Sequence, residues 1–312
     1  MKSVTVQSYA KLNLSLEITG VQDGYHTLDS LVTSIDLSDS VHLVKRKDKL
    51  VNVYMHGQKS ESIPPESNVA TKAGEAFVEK YGVSGADITV FKDIPMGGGL
   101  GGSSADAAGV LNGMAKLYEI DDEAGIKALA DGLGSDTGYM LRGGFARMTG
   151  RGDRVWRLPV QPKLYFLLLC PSSAVSTGKC YALYDELVKE EKRGSTEACI
   201  NSLLRGDNSG MGATFYNSLY LPAARLNPDV KEAVEALAGF SPSGYGMTGS
   251  GSSAFALFES RELCEWAKSR YRGKCRAIVV KTVDPKEEEK GFFGKMKSPY
   301  YLSEEEKKEA EK

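Results

Sequence analysis

The stretch that most restricts this chain is DIPMGGGLGGSSADAAGVL, Asp93 to Leu111, where five glycines and two serines separate an apolar strand-like run from an alanine-rich helical one. Glycine costs roughly 0.5–1 kcal/mol against alanine wherever the backbone is ordered in a helix or strand. Gly97, Gly98, Gly99, Gly101 and Gly102 in one short window therefore imply either a ligand or a close packing demand. A strand, a glycine-rich turn and a helix in succession aim several backbone N–H groups outward from a helix N-terminus, where the dipole favours an anion. Without Cβ atoms the main chain can approach phosphate oxygens, and Ser103 and Ser104 can add hydroxyl donors. The loop is not a P-loop, because no Gly-Lys-Ser/Thr follows it. STGKC (Ser176–Cys180) has Gly178-Lys179 but neither the upstream glycine nor the following hydroxyl. GGGLGG satisfies a loose G-x-G-x-x-G, yet no acidic residue ends a second parallel strand about 20 residues later, as a dinucleotide site requires. Taken alone, the loop leaves a phosphate site and a packing device both open.

The flanking pattern predicts a mixture of strands and helices without regular βαβ spacing. Polar and apolar residues alternate from Val4 through Ile18 as in a strand, and Leu31–Arg46 and Leu50–Gly57 continue as strands. Ser67–Gly82 reads as a helix with Val69, Ala73, Ala76 and Phe77 on one face and Gly82 as its cap. Ala86–Pro95 is a strand leading into the glycine loop, and Ser104–Ile120 a helix behind it. Asp121–Gly134 is a third helix, opening with acids that suit its dipole. LPVQPK, Leu158–Lys163, marks a hinge between two domains. After it come a strand at Leu164–Leu169 and helices from about Ser176 to Leu237. A second glycine–serine turn follows within Tyr245–Ser260, then a helix at Glu262–Tyr271 and a strand at Cys275–Val283. The division expected is 1–158, 159–285 and a solvated charged tail, 286–312.

With 312 residues the chain has room for two domains of ordinary size, and 41% hydrophobic with 26% charged residues argues against disorder. A net charge of −2 argues against a nucleic-acid partner. The first twenty residues lack the long apolar core of a signal peptide, and LYFLLLCP (Leu164–Pro171) is too short to span a bilayer and reads as a buried strand. Cys170, Cys180, Cys199, Cys264 and Cys275 are odd in number and form no C-x-x-C pair. That pattern fits reduced, buried thiols in a cytoplasm rather than a disulfide framework or a zinc site.

Five segments then occur in order: AKLNL (Ala10–Leu14), DGYH (Asp23–His26), PMGGGLGGSSADAA (Pro95–Ala108), LGSDTGYMLRGGFARMTGRGD (Leu133–Asp153) and TGSGSSAF (Thr248–Phe255). Together they resemble the GHMP small-molecule kinases, from about Ser8 to Val283. The resemblance implies a two-domain α+β fold, with an N-terminal ribosomal-protein-S5-domain-2-like domain and a C-terminal ferredoxin-like one. It implies ATP and Mg²⁺ as cofactors and a small-molecule substrate, with no nucleic acid or membrane involved, in a cytoplasmic monomer or homodimer. AKLNL followed closely by DGYH resembles the branch that phosphorylates the 2-hydroxyl of 4-diphosphocytidyl-2-C-methyl-D-erythritol, in the non-mevalonate isoprenoid route.

By that resemblance Asp136 is the base that orients and deprotonates the acceptor hydroxyl, and Lys11 the cation beside it. Asn13, Tyr25, His26, Thr177, Tyr181, Gly249, Ser250 and Gly251 would bind the substrate, with cytosine between Tyr25 and Tyr181 and its edge on His26. Asn68 and Lys92 would lie near adenine, and Pro95, Met96, Gly97, Gly98, Gly99, Leu100, Gly101, Gly102, Ser103 and Ser104 would form the triphosphate loop. Some positions depart from the family pattern. Thr137, Gly138 and Tyr139 replace the usual proline and aromatic after Asp136, which is expected to add backbone freedom beside the base. Ser103 stands where a third glycine is common, Ala105 where serine is frequent, and FYNSLY (Phe215–Tyr220) lacks an acid between Asn217 and Leu219. Alternatives are another GHMP kinase, of homoserine or mevalonate type, or a nucleotide-binding homologue with impaired catalysis. The Tyr25-His26 pair and Tyr181 argue against the first and the Lys11–Asp136 pair against the second.

Overall fold

The computed structural model describes residues 2–57, 68–187 and 195–285, so the charged tail expected at 286–312 lies outside the described residues. The alternating run from Val4 to Ile18 is two strands, β1 (Ser3–Asn13) and β2 (Ser15–Gln22), divided at Leu14. Both lie antiparallel along β3 (Tyr25–Lys45), a single strand of 21 residues. β4 (Asn52–Gly57) runs parallel to β5 (Ala86–Lys92), which pairs antiparallel with β3. Two helices, α1 (Val69–Tyr81) and α2 (Gly102–Tyr118), pack on this sheet through Phe77, Val110, Leu111 and Met114 against Val41, Ile88 and Val90, and α3 (Glu123–Leu133) packs against both helices. Small residues let α2 lie close. A Cβ on Gly113 would stand 2.3 Å from Leu43 Cδ1, and one on Gly109 would stand 2.0 Å from Ser8 Oγ.

A short helix, α4 (Thr137–Met140), and a hairpin of β6 (Ala146–Gly150) and β7 (Arg154–Arg157) follow, with β6 against β3. These elements were not legible in the sequence, where glycines and short spans hide the alternation. The chain then enters β8 (Tyr165–Cys170). Beyond it run α5 (Thr177–Leu187), α6 (Thr196–Leu204) and α7 (Asn208–Gly212), then the two-residue β9 (Tyr216–Asn217), α8 (Tyr220–Leu226) and α9 (Pro228–Ala238). β9 also escaped the sequence reading. It pairs in parallel with β2 and so joins the first sheet. The chain closes with β10 (Gly244–Met247), β11 (Ala254–Phe258), α10 (Arg261–Arg270) and β12 (Arg276–Lys281). The second sheet has the order β10-β11-β8-β12, antiparallel throughout. The molecule is α+β, as expected.

β8 explains its unbroken apolar sequence by being buried on both faces. Phe166, Leu168 and Cys170 join Leu12, Leu14 and Leu31 of the first sheet in one cluster, while Leu167 and Leu169 pack with Val230, Ala233 and Leu237 of α9. Each such side chain contributes about 1.5–3 kcal/mol of burial. Leu158–Lys163 is packed rather than free. Leu158 and Val160 rest on the shared cluster, Leu158 N donates to Phe145 O (2.9 Å), and Phe145 N donates to Gln161 Oε1 (3.1 Å). Further ties cross between the halves: Val283 N to Ser34 O (3.0 Å), Lys281 N to Asp36 Oδ1 (2.9 Å), and Arg276 Nη2 to Asp93 Oδ1 (2.6 Å). All five cysteines are free. Cys275 is half-buried and the other four are buried, with burial pushing the Cys170, Cys180 and Cys199 thiols up to about 11.

Candidate active site

A cavity of about 350 Å³ is lined by residues of both glycine turns, β1, the Asp136 turn and α5. Lys11 and Asn13 are two apart on β1 and share the face toward it, while Leu12 and Leu14 enter the core. Lys11 Nζ lies 3.5 Å from Asp136 Oδ2 and donates to Asn13 Oδ1. Asn13 Nδ2 donates to Ser30 Oγ (2.8 Å) and its amide to Thr248 Oγ1 (2.9 Å). The buried ammonium is thus matched by a carboxylate and an oriented amide, as a charge taken out of water requires. The Lys11 main-chain N–H donates to Leu100 O (3.0 Å), fastening the glycine loop to β1.

Asp136 is the N-cap residue of α4 but makes no side-chain cap bond, and its side chain is 32% exposed. The carboxylate is therefore available to a ligand. The expected loosening at Thr137-Gly138-Tyr139 is not what the structure shows. Tyr139 is wholly buried, its hydroxyl donates to Gly144 O (2.7 Å), and Ser34 Oγ lies 3.1 Å away. Burial pushes this phenol well above its ordinary pKa, so it stays a neutral donor. Arg157 donates to the carbonyls of Gly143 and Tyr139. Volume and hydrogen bonds replace the rigidity that a proline would have given.

Gly99 and Gly101 have φ of +74° and +75°, a region side chains other than glycine enter only with strain. Gly101 is the N-cap of α2 and supplies no side-chain cap; the first helical bond is Ala105 N to Gly101 O (2.8 Å). The amides of Gly102, Ser103 and Ser104 therefore open the helix beside the cavity without an intrahelical acceptor. The packing demand is equally real. A Cβ on Gly99 would stand 2.2 Å from Thr248 O, and Ser253 N donates to Gly98 O (3.1 Å). The two glycine turns are nested. Asn217 secures the second one by donating to Met247 O (2.8 Å) and Gly249 O (2.9 Å), and Thr177 Oγ1 lies 2.9 Å from Ser250 Oγ. Gly249, Ser250, Gly251, Thr177 and Tyr181 all line the cavity. Pro95 and Met96 instead line a neighbouring cavity of about 510 Å³.

In DGYH, Asp23 (φ +52°) and Gly24 (φ +77°) make the two-residue turn between β2 and β3, the geometry that matches the twist of paired strands. It sets Tyr25 and His26 on opposite faces. His26 meets Tyr181, ring centroids 4.9 Å apart, and its Nε2 lies 2.7 Å from Asp185 Oδ1. Burial, with the charge of Asp136 nearby, pushes Tyr181 up to about 12. Tyr25 is 55% exposed and carries the Arg151 guanidinium 3.8 Å above its ring. The structure therefore joins His26 to Tyr181 and leaves Tyr25 apart. Asn68 caps α1 by accepting from Ala70 N (2.9 Å), and Lys92 is enclosed between Asp39 and Asp106. Neither lines the 350 Å³ cavity. Sequence reasoning missed Arg151, which does line it, and Asp185, which the four-residue spacing from Tyr181 on a helix could have revealed.

The family model described as GHMP kinases N terminal domain matches residues 68–144, and the one described as GHMP kinases C terminal matches residues 199–273. The crystal structure of a homoserine kinase from Cytophaga hutchinsonii superposes with a TM-score of 0.73 at 20% identity, covering 91% of this chain and 95% of its own, and so shares the fold. Fold, nested glycine turns and the Lys11–Asp136 pair define a kinase of the GHMP class. Within that class the similarity is specific. The 4-diphosphocytidyl-2-C-methyl-D-erythritol kinase of Pelotomaculum thermopropionicum is 31% identical over 287 residues, 91% of this chain and 99% of the relative. The Listeria innocua enzyme of the same name is 32% identical over 285 residues, 89% and 95%. A crystal structure titled as 4-(cytidine 5'-diphospho)-2C-methyl-D-erythritol kinase matches with a TM-score of 0.73 at 30% identity, covering 89% and 99%. This chain belongs to the 4-diphosphocytidyl-2-C-methyl-D-erythritol kinase family.

Proposed function

We propose that the protein transfers the γ-phosphoryl group of ATP to the 2-hydroxyl of 4-diphosphocytidyl-2-C-methyl-D-erythritol. The observation that carries this reading is the Lys11–Asp136 pair, 3.5 Å apart, in a cavity shared with the open N-terminus of α2. Asp136 takes the hydroxyl proton as the oxygen bonds to the γ-phosphorus; the bond from that phosphorus to the bridging oxygen breaks, and ADP leaves. Lys11 stabilises the negative charge that spreads over the transferring group. Asn13 holds Lys11 in place. The amides of Gly102 to Ser104 receive the triphosphate.

At the other end, Tyr181 offers a face to cytosine from the cavity wall, and a second face from Tyr25 requires that ring to leave the Arg151 guanidinium. A carboxylate only accepts hydrogen bonds, so Asp185 places the proton of His26 on Nε2 and leaves Nδ1 for the base edge. Gly249 to Gly251 and Thr177 approach the substrate diphosphate. No group of three or more His, Cys, Asp or Glu suited to a metal occurs among the described residues. Mg²⁺ bound with phosphates keeps waters and needs only one or two protein oxygens, which the Ser103 and Ser104 hydroxyls beside the cavity fit. The ion would neutralise charge on the phosphates. The reading includes domains at 1–158 and 159–285 and a cytoplasmic monomer or homodimer free of nucleic-acid and membrane partners. The net charge of −2, and the lack among the described residues of a helix long and apolar enough to cross a membrane, support it.

Purified protein with ATP and Mg²⁺ is offered the cytidylated methylerythritol, homoserine and mevalonate in turn. Turnover with the first alone, and phosphorus coupling to its 2-position by NMR, is the expected outcome. Comparable turnover of homoserine or mevalonate overturns the substrate assignment.

A further inference from the structure

We propose that Lys92, Asp39 and Asp106 form a buried clamp that holds both ends of the glycine loop, making Lys92 a positioning residue rather than an adenine contact. The proposal rests on the reading of that loop as the triphosphate site. Lys92 is the last residue of β5, just before the loop; Asp106 lies on the first turns of α2, just after it; Asp39 projects from β3 between them. Lys92 Nζ is 2.6 Å from Asp106 Oδ2 and also donates to Asp39 Oδ2. The three side chains are 4%, 5% and 0% exposed. Two of the three ammonium donors are spent on carboxylates, and although Lys92 lines the neighbouring 510 Å³ cavity with Pro95 and Met96, its side chain offers almost no surface to a base.

The clamp reaches the loop through both ends. Asp39 Oδ1 accepts from the amides of Asp93 (2.7 Å) and Ile94 (2.9 Å), which fixes the entry. Asp106 fixes the exit. Lys92 Nζ lies 3.6 Å from where a Cβ of Gly102 would stand, directly against the first residue of α2. Three ionisable groups buried this deeply are a poor device for stability alone, because the desolvation of their charged forms offsets most of their attraction. They do hold two chain segments at one separation, which is what a row of amides aimed at a polyanion needs. Asp106 Oδ1 has no partner, and burial pushes this carboxyl up to about 7 against the pull of Lys92, so a neutral amide is a fair substitute for it.

The test measures Kd for ATP and for inorganic tripolyphosphate, which has no base, by calorimetry on the full chain. Asp106→Ala leaves Lys92 and Asp39 as a balanced pair, and its fold is checked by thermal unfolding. The clamp predicts that both ligands weaken by about tenfold (~1.4 kcal/mol) in Asp106→Ala and are restored to within about threefold in Asp106→Asn. Binding of CDP should not change. Lys92→Met should likewise weaken ATP and tripolyphosphate alike; if that variant does not fold, the Asp106 pair decides. Loss of ATP affinity in Lys92→Met with tripolyphosphate binding intact would make Lys92 an adenine contact and overturn the clamp. Wild-type tripolyphosphate affinity in Asp106→Ala overturns it too. Wild-type protein that binds neither ligand refutes the triphosphate loop itself, and the clamp with it.

Discussion

Asp136 sits at a helix N-cap yet leaves its amides uncapped, so its charge can be removed without disturbing a cap bond. Asp136→Asn keeps the shape but cannot take a proton. Turnover should fall about 10²–10⁴-fold while ATP binding is retained, measured by steady-state kinetics and calorimetry. Tyr181→Ala and Tyr25→Ala should each weaken the cytidylated substrate by about 1–3 kcal/mol with little change for ATP. Equal losses for both ligands would put a different nucleotide at these rings. Residue by residue, the sequence was most readable where a motif carries its own context, as at Lys11, Asp136 and the glycine loop. It was least readable for Lys92, because the aspartates that enclose its ammonium come from other elements, Asp39 being 53 positions away. Arg151 was hidden for a related reason, since a cation near an aromatic ring is a matter of hairpin geometry and not of spacing.

The glycine turns act as elements in their own right, and each forms part of the other's wall. Gly99→Ala would press a methyl group against the Thr248 carbonyl from a φ of +74°. The cost should be about 1–3 kcal/mol of stability, read by denaturant unfolding, with both substrates binding more weakly because both turns shift. Gly101→Val acts differently. Its Cβ would meet Met140 Cε at 2.3 Å and Lys11 Cγ at 3.2 Å, so kcat should fall together with ATP affinity. Long amphipathic elements such as α1 and α3 were legible because their apolar faces repeat over several turns. The four-residue α4 and β7 and the two-residue β9 are too short to show any period, and only pairing with β2 makes β9 a strand.

Across the whole molecule, stability should depend on pH partly through Asp106. Burial raises this carboxyl from 3.8 to about 7 on folding, so the folded state binds its proton more tightly. The resulting stabilisation is full below about pH 4 and is lost as the pH rises through about 7. Glu17 and Asp36 are raised by burial as well, so the comparison with Asp106→Asn isolates the contribution of Asp106. Between pH 5 and 8 the wild-type melting temperature should fall more than that of the variant; parallel curves would refute the shift. The α+β class was readable in the sequence, whereas the packing of the 158–163 linker was not. Nothing local distinguishes a mobile proline-containing segment from one whose Leu158 and Val160 are pressed into a core shared by two sheets.

That same joining of sheets has a consequence for the order in which the protein is made. Arg276 of β12 grips Asp93 by both carbonyl and carboxylate, and β12 itself inserts beside β8, the first strand of its sheet. The residue at the threshold of the glycine loop is therefore held in part by a strand that leaves the ribosome long after it. A nascent chain can form α1, α2, the strands beneath them and the Asp39 contacts to the loop's entry early, but the second grip, that of Arg276 on Asp93, comes only once β12 has been made. A truncated product that ends before Arg276 would keep the Asp39 contacts but lack this second anchor, however well its N-terminal half has folded.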